Sequence, residues 1–358
     1  MEELLSFQVT KIISETSDAI TILLTPAVRN KVQYRAGQFL TFLFNFGNGE
    51  VRRSYSLSSS PDADQTLSIT VKRIVNGEVT SFLFEKLKEG DILCALKPSG
   101  RFIFEPVTVS RDIFLVAAGS GITPLFSILK TALIKEPQSH ITLIYANRKE
   151  KNALFYQQLK ALENKNQGRF RCIFIFSEPE TGESPYRGHL NVELLPALIR
   201  ENGKFIMEKA VCYICGPFTF MRMTEIVLKT NGFEEENIFK ENFVVMAEQE
   251  AIDTPPEIID PAEKKICIIS GGKEYHLVAP PKTTILKTAI EQGVQVPYSC
   301  KSGICGTCAA LCREGVVKMS VNQVLTDRDL RQGWVLTCVG YPATGNTLLE
   351  FKQNFNPD

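Results

Sequence analysis

The chain has 358 residues, of which 44% are hydrophobic and 22% are charged, which is ordinary for a soluble globular protein of two or three domains. Lys and Arg together number 40, as do Asp and Glu, so no basic excess favours a nucleic-acid partner. The start of the chain lacks the basic and apolar regions of a signal peptide, and no apolar run is long enough to span a membrane. We therefore expect a cytoplasmic protein with reduced thiols.

Residues 1–107 alternate short β-rich segments with turns. The sequence at 46–50, Phe-Gly-Asn-Gly-Glu, is typical of a hairpin turn. Apolar residues at helical spacing predict one helix at about 80–88. Many short strands of this kind predict a small antiparallel β-barrel. The clearest strand-like segments are 39–44, 54–57 and 67–71.

Residues 108–246 have a different rhythm, in which apolar runs alternate with helical patterns. This βαβ series predicts a parallel sheet with helices on both faces. The strand-like runs are 113–118, 141–146, 170–176, 211–215 and 238–243.

A linker is predicted at 247–262, where three prolines and five acidic residues occur without a basic residue. Proline lacks a backbone donor and the acids repel one another, so this segment should be extended. From 263 to 358 the chain again shows short strands, with one helix at about 285–292. This part is predicted to be a separate α+β domain.

The first domain carries an Arg-Ser-Tyr-Ser sequence at 53–56 on a predicted strand. The arginine suits a diphosphate, the tyrosine offers a flat ring for stacking, and the last serine can bond to the edge of a ring system. Taken alone, the same sequence is explained equally by an edge strand. Further along, Gly77 provides a turn and Thr80 can cap a helix whose N–H groups face an anion.

The second domain opens with a strand followed by Gly-Ser-Gly-Ile-Thr-Pro at 119–124. Its glycines would let a pyrophosphate approach the backbone and the helix dipole, although the third glycine of G-x-G-x-x-G is missing. Cys-Gly-Pro at 215–217 follows another strand of the series. Ligands of such sheets bind at the carboxyl ends of the strands. Both motifs therefore point to this edge, although Cys215 alone is equally explained by packing.

Four cysteines near the C-terminus have the spacing C-x4-C-x2-C, with the fourth thirty residues further on. This spacing is typical of a plant-type [2Fe–2S] cluster, which carries one electron at a potential on the order of −400 mV. Gly303 and Gly306 would allow the loop to wrap tightly. A zinc site prefers paired C-x2-C units, and a disulfide framework needs a secreted context, so the cluster is favoured. The four predicted ligands are Cys300, Cys305, Cys308 and Cys338.

The remaining cysteines and the histidines show no ligand spacing. Four cysteines within apolar runs are interpreted as packed side chains, and Cys312 as a packed or spare thiol. These four are Cys94, Cys172, Cys212 and Cys267. No role is assigned to His140, His189 or His276.

In this order, R-x-Y-S, G-x-V-T, G-S-G-I-T-P, C-G-P and the cysteine spacing resemble the ferredoxin–NADP reductase superfamily with a plant-type ferredoxin domain at the C-terminus. The resemblance covers nearly the whole chain. It implies an FAD-binding barrel at 1–107, an NAD(P)-binding domain at 108–246 and a β-grasp ferredoxin domain at 263–358. The domain order resembles reductase components of multicomponent oxygenases. The Tyr-Ala-Asn-Arg at 145–148 and Glu-Asn-Phe at 241–243 are similar to the group that serves phenylacetyl-CoA epoxidases.

The resemblance also implies the cofactor-binding residues. For FAD they are Arg53, Ser54, Tyr55, Ser56, Val71, Lys72, Gly77, Val79, Thr80 and Phe243. For the nicotinamide nucleotide they are Gly119, Gly121, Ile122, Thr123, Pro124, Arg148, Cys215, Gly216 and Pro217. Among these, Cys215, Tyr55 and Ser56 are the candidate catalytic residues, and Thr123 is expected near the nicotinamide.

The choice between NADH and NADPH stays open. Arg148 would reach the adenosine ribose and would suit a 2′-phosphate. The preceding Asn147 replaces the serine of many NADPH-specific members.

The function implied by the resemblance is electron transfer from NAD(P)H through FAD and the cluster to a partner protein, an oxygenase. The cofactors supply the chemistry, so no general acid–base pair is nominated. Two alternatives are a reductase of another acceptor and a non-catalytic iron–sulfur module. The intact motifs at 119–124 and 215–217 argue against the second alternative.

Overall fold

The structure is a computed structural model that describes residues 4–27, 32–47, 49–182, 184–205, 209–243, 262–303, 306–322, 324–325 and 327–351. It forms two compact units, Leu4–Phe243 and a second unit whose described part begins at residue 262. The predicted linker at 247–262 lies outside the described residues, apart from its last one. None of the described helices has both the length and the apolar character needed to cross a bilayer.

The first unit begins with six antiparallel strands that form the predicted barrel. They are β1 (Leu4–Thr16), β2 (Ala19–Pro26), β3 (Phe39–Asn45), β4 (Glu50–Ser56), β5 (Leu67–Lys72) and β6 (Ile92–Leu96). Their order is β4-β3-β6-β1-β2-β5, and a bridge between Leu57 and Ile69 joins the two ends. The helix α1 (Glu78–Glu85) packs Val79 and Leu83 into the barrel core.

Alternation of apolar and polar residues explains why the first strand has one face in the core. Phe7 and Val9 are buried, whereas Gln8 between them is exposed. Burying one such side chain contributes roughly 1.5–3 kcal/mol. The predicted hairpin turn at 46–50 is confirmed, because Asn45 pairs with Glu50 across it.

The second sheet of this unit is parallel throughout. It consists of β7 (Asp112–Ala118), β8 (His140–Asn147), β9 (Phe170–Phe176), β10 (Tyr186–Arg187), β11 (Val211–Gly216) and β12 (Ile238–Asn242). The order is β10-β9-β8-β7-β11-β12, so the direction of winding reverses between β7 and β11. The five predicted strands are confirmed, and β10 is an additional edge strand of only two residues.

Helices cover both faces of this sheet, as predicted. They are α2 (Ile122–Lys135), α3 (Tyr156–Lys165), α4 (Leu194–Asn202) and α5 (Phe218–Thr230). One apolar core contains residues of α2 and α3, and a second core contains residues of α4 and α5. The strands are consequently buried on both sides, which is why they read as continuous apolar runs.

Buried hydroxyl groups join the barrel to α2. The Ser127 hydroxyl donates to the Ser59 carbonyl at 2.5 Å, and the hydroxyls of Ser60 and Thr131 lie 2.7 Å apart. All four residues are buried or nearly so, which makes these hydrogen bonds costly to break. The barrel and the parallel sheet therefore form one unit.

A buried ion pair fixes the segment between the barrel and β7. Arg111 donates from Nη2 and Nε to the two carboxylate oxygens of Glu136, at 2.6 and 3.2 Å. The same carboxylate accepts the Ser139 hydroxyl at 2.7 Å and the Val107 N–H at 3.0 Å. Arg111 also donates to the Glu105 carbonyl at 3.1 Å. The charges are thus paired and hydrogen-bonded, which burial requires.

We predict that Glu136→Ala destabilises the chain by about 3–5 kcal/mol, because it leaves the Arg111 charge buried without a partner. Urea unfolding, monitored through the release of flavin, would measure this change in the free energy of unfolding. The matched control is Glu105→Ala, which breaks an exposed pair with Arg35 and should cost less than about 1 kcal/mol. Equal effects of the two substitutions would contradict this account of the segment.

The second unit has a mixed five-stranded sheet and a two-stranded ribbon. The sheet consists of β13 (Lys264–Ser270), β14 (Lys273–Ala279), β15 (Ala309–Glu314), β17 (Trp334–Leu336) and β19 (Thr347–Phe351), and the ribbon of β16 (Val317–Met319) and β18 (Gly340–Pro342). The sheet order is β14-β13-β19-β15-β17, with β13 and β19 parallel. Two helices, α6 (Ile285–Glu291) and α7 (Asp327–Arg331), complete the unit. Residues of α6 pack with those of β13 in one core, which confirms the α+β prediction.

Candidate functional site

The turn between β7 and α2 lies against the carboxyl end of β11. Gly119 has a φ of +56°, and a Cβ on Gly121 would lie 2.2 Å from the Cys215 carbonyl oxygen. The Tyr145 hydroxyl donates to the Gly119 carbonyl at 3.0 Å and accepts the Leu154 N–H at 3.1 Å. Because burial raises the pKa of Tyr145, the hydroxyl stays a donor. The turn is therefore held from both sides, and the sequence analysis did not nominate Tyr145.

The start of α2 is buried and shaped by its own side chains. Thr123 is 2% exposed, and its hydroxyl donates to the Ser120 carbonyl at 3.0 Å. Ile122 and Pro124 are buried beside it. The observed role of the Thr123 hydroxyl is thus to hold the turn, and its expected place near the nicotinamide stays a prediction. The half-buried Ser120 is a polar residue of this turn that the sequence analysis did not nominate.

Three polar groups meet where the barrel approaches the parallel sheet. Ser56, at the end of β4, donates from its hydroxyl to Oε2 of Glu241 on β12 at 3.1 Å. Glu241 pairs in register with Cys215 on the neighbouring strand β11. Burial raises the pKa of Glu241 to about 8, partly offset by the bond from Ser56. Burial and then Glu241 raise the pKa of the Cys215 thiol. All three groups are therefore predominantly neutral at pH 7.

Glu241 is the functional candidate that the sequence analysis missed. The Glu-Asn-Phe sequence at 241–243 supports the family resemblance but does not by itself indicate a role for the acid. An acid at the carboxyl end of an apolar strand is a signal that could have found it, whereas its burial depends on the docking of the barrel. Phe243, just after β12, is half-buried against the core of the nucleotide domain.

The Arg-Ser-Tyr-Ser sequence alternates between the two faces of β4. Arg53 is exposed, and its Nη1 donates to the Arg52 carbonyl at 2.9 Å. The Tyr55 ring packs 6.2 Å from that of Phe42, and burial raises the pKa of Tyr55, so its hydroxyl stays protonated. The Ser54 hydroxyl lies 2.9 Å from that of Thr41. The exposed guanidinium is thus suited to a diphosphate.

The role of Thr80 as a helix cap was predicted wrongly. Thr80 is the third residue of α1, and its hydroxyl lies 3.1 Å from the Gly77 carbonyl and 3.3 Å from the Ile74 carbonyl. Gly77 is the N-cap residue, because it has extended backbone angles and precedes the first helical residue. No side chain of the described residues caps the helix, which leaves its first N–H groups for an anion.

Strand β5 ends next to this helix and contributes two predicted FAD residues. Val71 is 1% exposed and belongs to the barrel core, so its side chain is structural. Lys72 is partly exposed, and its Nζ lies 3.4 Å from Oδ2 of Asp18. Both residues pair with β2 through their backbones.

Arg148, at the predicted adenosine site, is already paired. Its Nε lies 2.9 Å from Oε1 of Glu178, and both side chains are exposed. The Glu178 N–H also donates to the Arg148 carbonyl at 2.8 Å, which holds the two residues together. A 2′-phosphate on Arg148 must compete with this carboxylate.

Three of the four predicted cluster ligands converge. The Cys338 thiol is hydrogen-bonded to those of Cys300 and Cys308, and these bonds raise the pKa of Cys338. The Ser302 N–H donates to the Cys300 sulfur at 3.4 Å. No disulfide joins them within the described part of the chain. Three converging thiols and an N–H that points at sulfur fit an iron–sulfur cluster, whereas Cys305 lies outside the described residues.

The glycines of the cluster loop behave as predicted. Gly303 and Gly306 have φ values of +76° and +70°, which residues with a side chain rarely adopt. A Cβ on Gly303 would also lie 3.2 Å from the Val321 carbonyl. Lys301 has a positive φ as well, so the loop turns sharply at several places.

Comparison with known families divides the chain as the fold does. Residues 6–104 match the oxidoreductase FAD-binding domain, 115–225 the oxidoreductase NAD-binding domain, and 268–343 the 2Fe-2S iron-sulfur cluster binding domain. The chain is 32% identical to a component of the 1,2-phenylacetyl-CoA epoxidase of Escherichia coli K12, over 97% of each sequence. The chain belongs to the ferredoxin–NADP reductase superfamily, in the branch with a fused 2Fe–2S domain. Its cofactors are accordingly FAD, a [2Fe–2S] cluster and NAD(P)H.

Other relatives support the same assignment. The chain is 32% identical to the ferredoxin reductase component of 3-ketosteroid-9-alpha-monooxygenase of Rhodococcus rhodochrous, over 96% of this chain and 95% of the relative. Phthalate dioxygenase reductase shares the fold at a TM-score of 0.60, with 21% identity over 97% of this chain and 98% of that chain. A type IV self-sufficient cytochrome P450 monooxygenase has a TM-score of 0.71 at 19% identity, covering 97% of this chain and 41% of that chain. This oxidoreductase therefore has the fold of flavin and iron–sulfur reductases.

We predict that the flavin-free reductase loses stability as the pH rises from about 4.5 to about 8. Glu241 has a pKa of about 8 in the folded chain against an ordinary value of 4.5, so between these values the folded state holds one more proton than the unfolded state. This group alone lowers the free energy of unfolding by about 1.4 kcal/mol per pH unit. In Glu241→Gln the decline should be shallower by that amount. The free energy of unfolding would be measured with urea between pH 5 and 8. If it fell equally steeply with pH in the unaltered chain and in Glu241→Gln, Glu241 would not be a buried neutral carboxyl.

We predict that Cys338→Ser loses the cluster while NAD(P)H still reduces the flavin, because the two cofactors belong to separate units. Iron content and the absorbance of the reduced flavin would measure this. Cys312→Ser is the matched control, since this half-buried thiol of the same unit donates to the Glu314 carbonyl at 3.3 Å and is outside the motif. Full iron content in Cys338→Ser would refute the ligand assignment.

Proposed function

We propose that this reductase is the electron-supplying component of an oxygenase system. The observation that carries the proposal is alignment over nearly the full length of both chains with relatives named as oxygenase components. We assign only the class of the electron acceptor, an oxygenase, because relatives named for an epoxidase and for a steroid monooxygenase are both 32% identical to the chain. We further propose that it works in the cytoplasm, which is consistent with free thiols among its described cysteines.

For FAD, we assign the diphosphate to the N-terminus of α1 and to Arg53. The first N–H groups of α1 lack a side-chain cap, and the exposed Arg53 adds a charge-assisted donor. Tyr55 and Ser56 follow on the same strand and would line the flavin ring. When bound, FAD takes two electrons as a hydride and releases them one at a time.

For the nicotinamide nucleotide, we assign the pyrophosphate to the turn that contains Gly119 and Gly121, at the point where the order of the parallel strands reverses. Ligands of such sheets bind there. The packing of Gly121 against β11 places the Cys-Gly-Pro motif beside this turn. For the cluster, we assign Cys300, Cys305, Cys308 and Cys338 as ligands.

The neutral state of the Ser56–Glu241–Cys215 group suits the entry of a hydride. A carboxylate or a thiolate at this junction would repel the negative charge that arrives with it. Burial keeps Glu241 protonated up to about pH 8 and keeps Cys215 as a thiol. These residues therefore provide polar contacts without negative charge.

The test of the proposed function is reconstitution with candidate oxygenase components from the same genome. We expect NAD(P)H-dependent substrate oxidation only when the reductase is present, and none with Cys338→Ser. If the protein reduces small-molecule acceptors rapidly but supports none of these oxygenases, it is a reductase of another acceptor. If NAD(P)H does not reduce its flavin, it is not a reductase at all.

We predict that Glu178→Ala increases the preference for NADPH over NADH, whereas Arg148→Ala decreases it. In the first variant the Glu178 carboxylate no longer competes with the 2′-phosphate for the Arg148 guanidinium. In the second variant the guanidinium itself is lost. A hydrogen bond to a charged group contributes roughly 1.5–3 kcal/mol, so a change of about tenfold is expected. The dissociation constants of both nucleotides would measure it. Unchanged ratios in both variants would place the 2′-phosphate elsewhere.

A further inference from the structure

The outer face of the β13–β14 hairpin carries three side chains of metal-binding chemistry. They are Cys267 on β13 and Glu274 and His276 on β14. One ligand atom of each, the thiol sulfur, a carboxylate oxygen and a ring nitrogen, lies within 4.8 Å of the other two. None of the three belongs to the cysteine motif of the cluster. The packing role expected for Cys267 leaves this convergence unexplained.

The pairing of the two strands produces the convergence. Cys267 lies directly opposite His276 in the antiparallel register, and Glu274 precedes His276 by two residues, so all three point to one face. Gly271 and Gly272 have φ values of +61° and +74°, as in the two-residue turns that fix a hairpin register. The three ligands are therefore set by the backbone.

The opposite face of the hairpin anchors this arrangement. Ile266 and Ile268 are 2% and 0% exposed in the core of the unit, so β13 cannot slip without exposing them. Cys267 is half-buried, whereas Glu274 and His276 are exposed. A cation can thus reach the three side chains from solvent, and their frame is rigid.

We propose that Cys267, Glu274 and His276 bind a divalent transition-metal cation of the Zn²⁺ type, with water as the fourth ligand. A sulfur, nitrogen and oxygen donor set suits Zn²⁺, whereas Ca²⁺ and Mg²⁺ take oxygen ligands. Tetrahedral bonds of about 2.0–2.3 Å put ligand atoms roughly 3.3–3.8 Å apart, so small side-chain rotations close the site. This site does not depend on the proposed function.

Binding involves no redox step. As the metal–sulfur bond forms, the Cys267 thiol loses its proton to solvent, and the metal keeps its charge. Burial and the nearby Glu274 raise the pKa of Cys267, so the free site is a thiol beside a carboxylate. Together, the carboxylate and the newly formed thiolate balance the two charges of the cation.

The experiment uses the full chain with FAD and its cluster in place, dialysed against micromolar ZnCl₂. Metal analysis should find about one zinc per chain in addition to the cluster iron. Zinc should also protect Cys267 from alkylation by iodoacetamide, as measured by mass spectrometry. Cys267→Ser and His276→Ala should each weaken zinc binding at least about tenfold. The matched controls, Cys312→Ser and His189→Ala, should bind zinc as the unaltered chain does.

Iron content and the visible spectrum are recorded in every sample. Three results would overturn the proposal. The first is no zinc retained at micromolar concentration. The second is undiminished zinc in the Cys267→Ser, His276→Ala double variant. Loss of iron with zinc retained in that variant would show that zinc replaces the cluster, which also contradicts the hairpin site. Because the altered side chains are half-buried or exposed, the variants should keep the cluster spectrum, which verifies their folding.

Discussion

The contact between Gly121 and the end of β11 is the constraint on which the proposed electron-entry region depends. A side chain at this position would meet the Cys215 carbonyl oxygen at 2.2 Å and the Gly216 nitrogen at 2.8 Å, and both are backbone atoms that cannot turn away. Glycine alone therefore lets the turn after β7 lie against β11. This contact brings the two motifs of the nucleotide domain to the place where the strand order reverses.

The docking of the barrel completes this region. The hydrogen bond from Ser56 to Glu241 links two strands that are 185 residues apart in sequence. The buried bonds of Ser59 and Ser60 to α2 hold the same two domains together away from the junction. Ser56, at the end of β4, thereby reaches Glu241 at the carboxyl edge of the parallel sheet, where burial keeps Glu241 and Cys215 neutral.

Regular periodicity made most of the fold predictable from sequence. The strands of the parallel sheet are continuous apolar runs because they are buried on both faces, and five of them were predicted close to their observed bounds. The strand β10 was missed because its two residues, Tyr186 and Arg187, are too few to show an alternation of apolar and polar residues. The error at Thr80 has a local cause, since its hydroxyl bonds back to the carbonyls of Ile74 and Gly77 from inside the helix.

The parts of the site that escaped prediction depend on tertiary contacts. Burial of Glu241 follows from the packing of one domain against another, which no local pattern contains. Cys267 and His276 are far apart for a linear ligand motif and meet only through strand pairing. The Gly271–Gly272 turn and the alternation of apolar and other residues along β13 are sequence signals that could have placed Cys267 opposite His276.

The central claim, that electrons enter beside Cys215, is tested most directly by stopped-flow reduction of the flavin in Cys215→Ala and Cys212→Ala. Both cysteines are completely buried on β11, but Cys212 belongs to the core beneath α4 and α5. The account predicts that Cys215→Ala lowers the limiting reduction rate far more than the nucleotide affinity, because small misplacements at a reacting junction slow the transfer. Cys212→Ala should leave that rate unchanged. An unchanged limiting rate in Cys215→Ala, or an equal decrease in both variants, would contradict the claim.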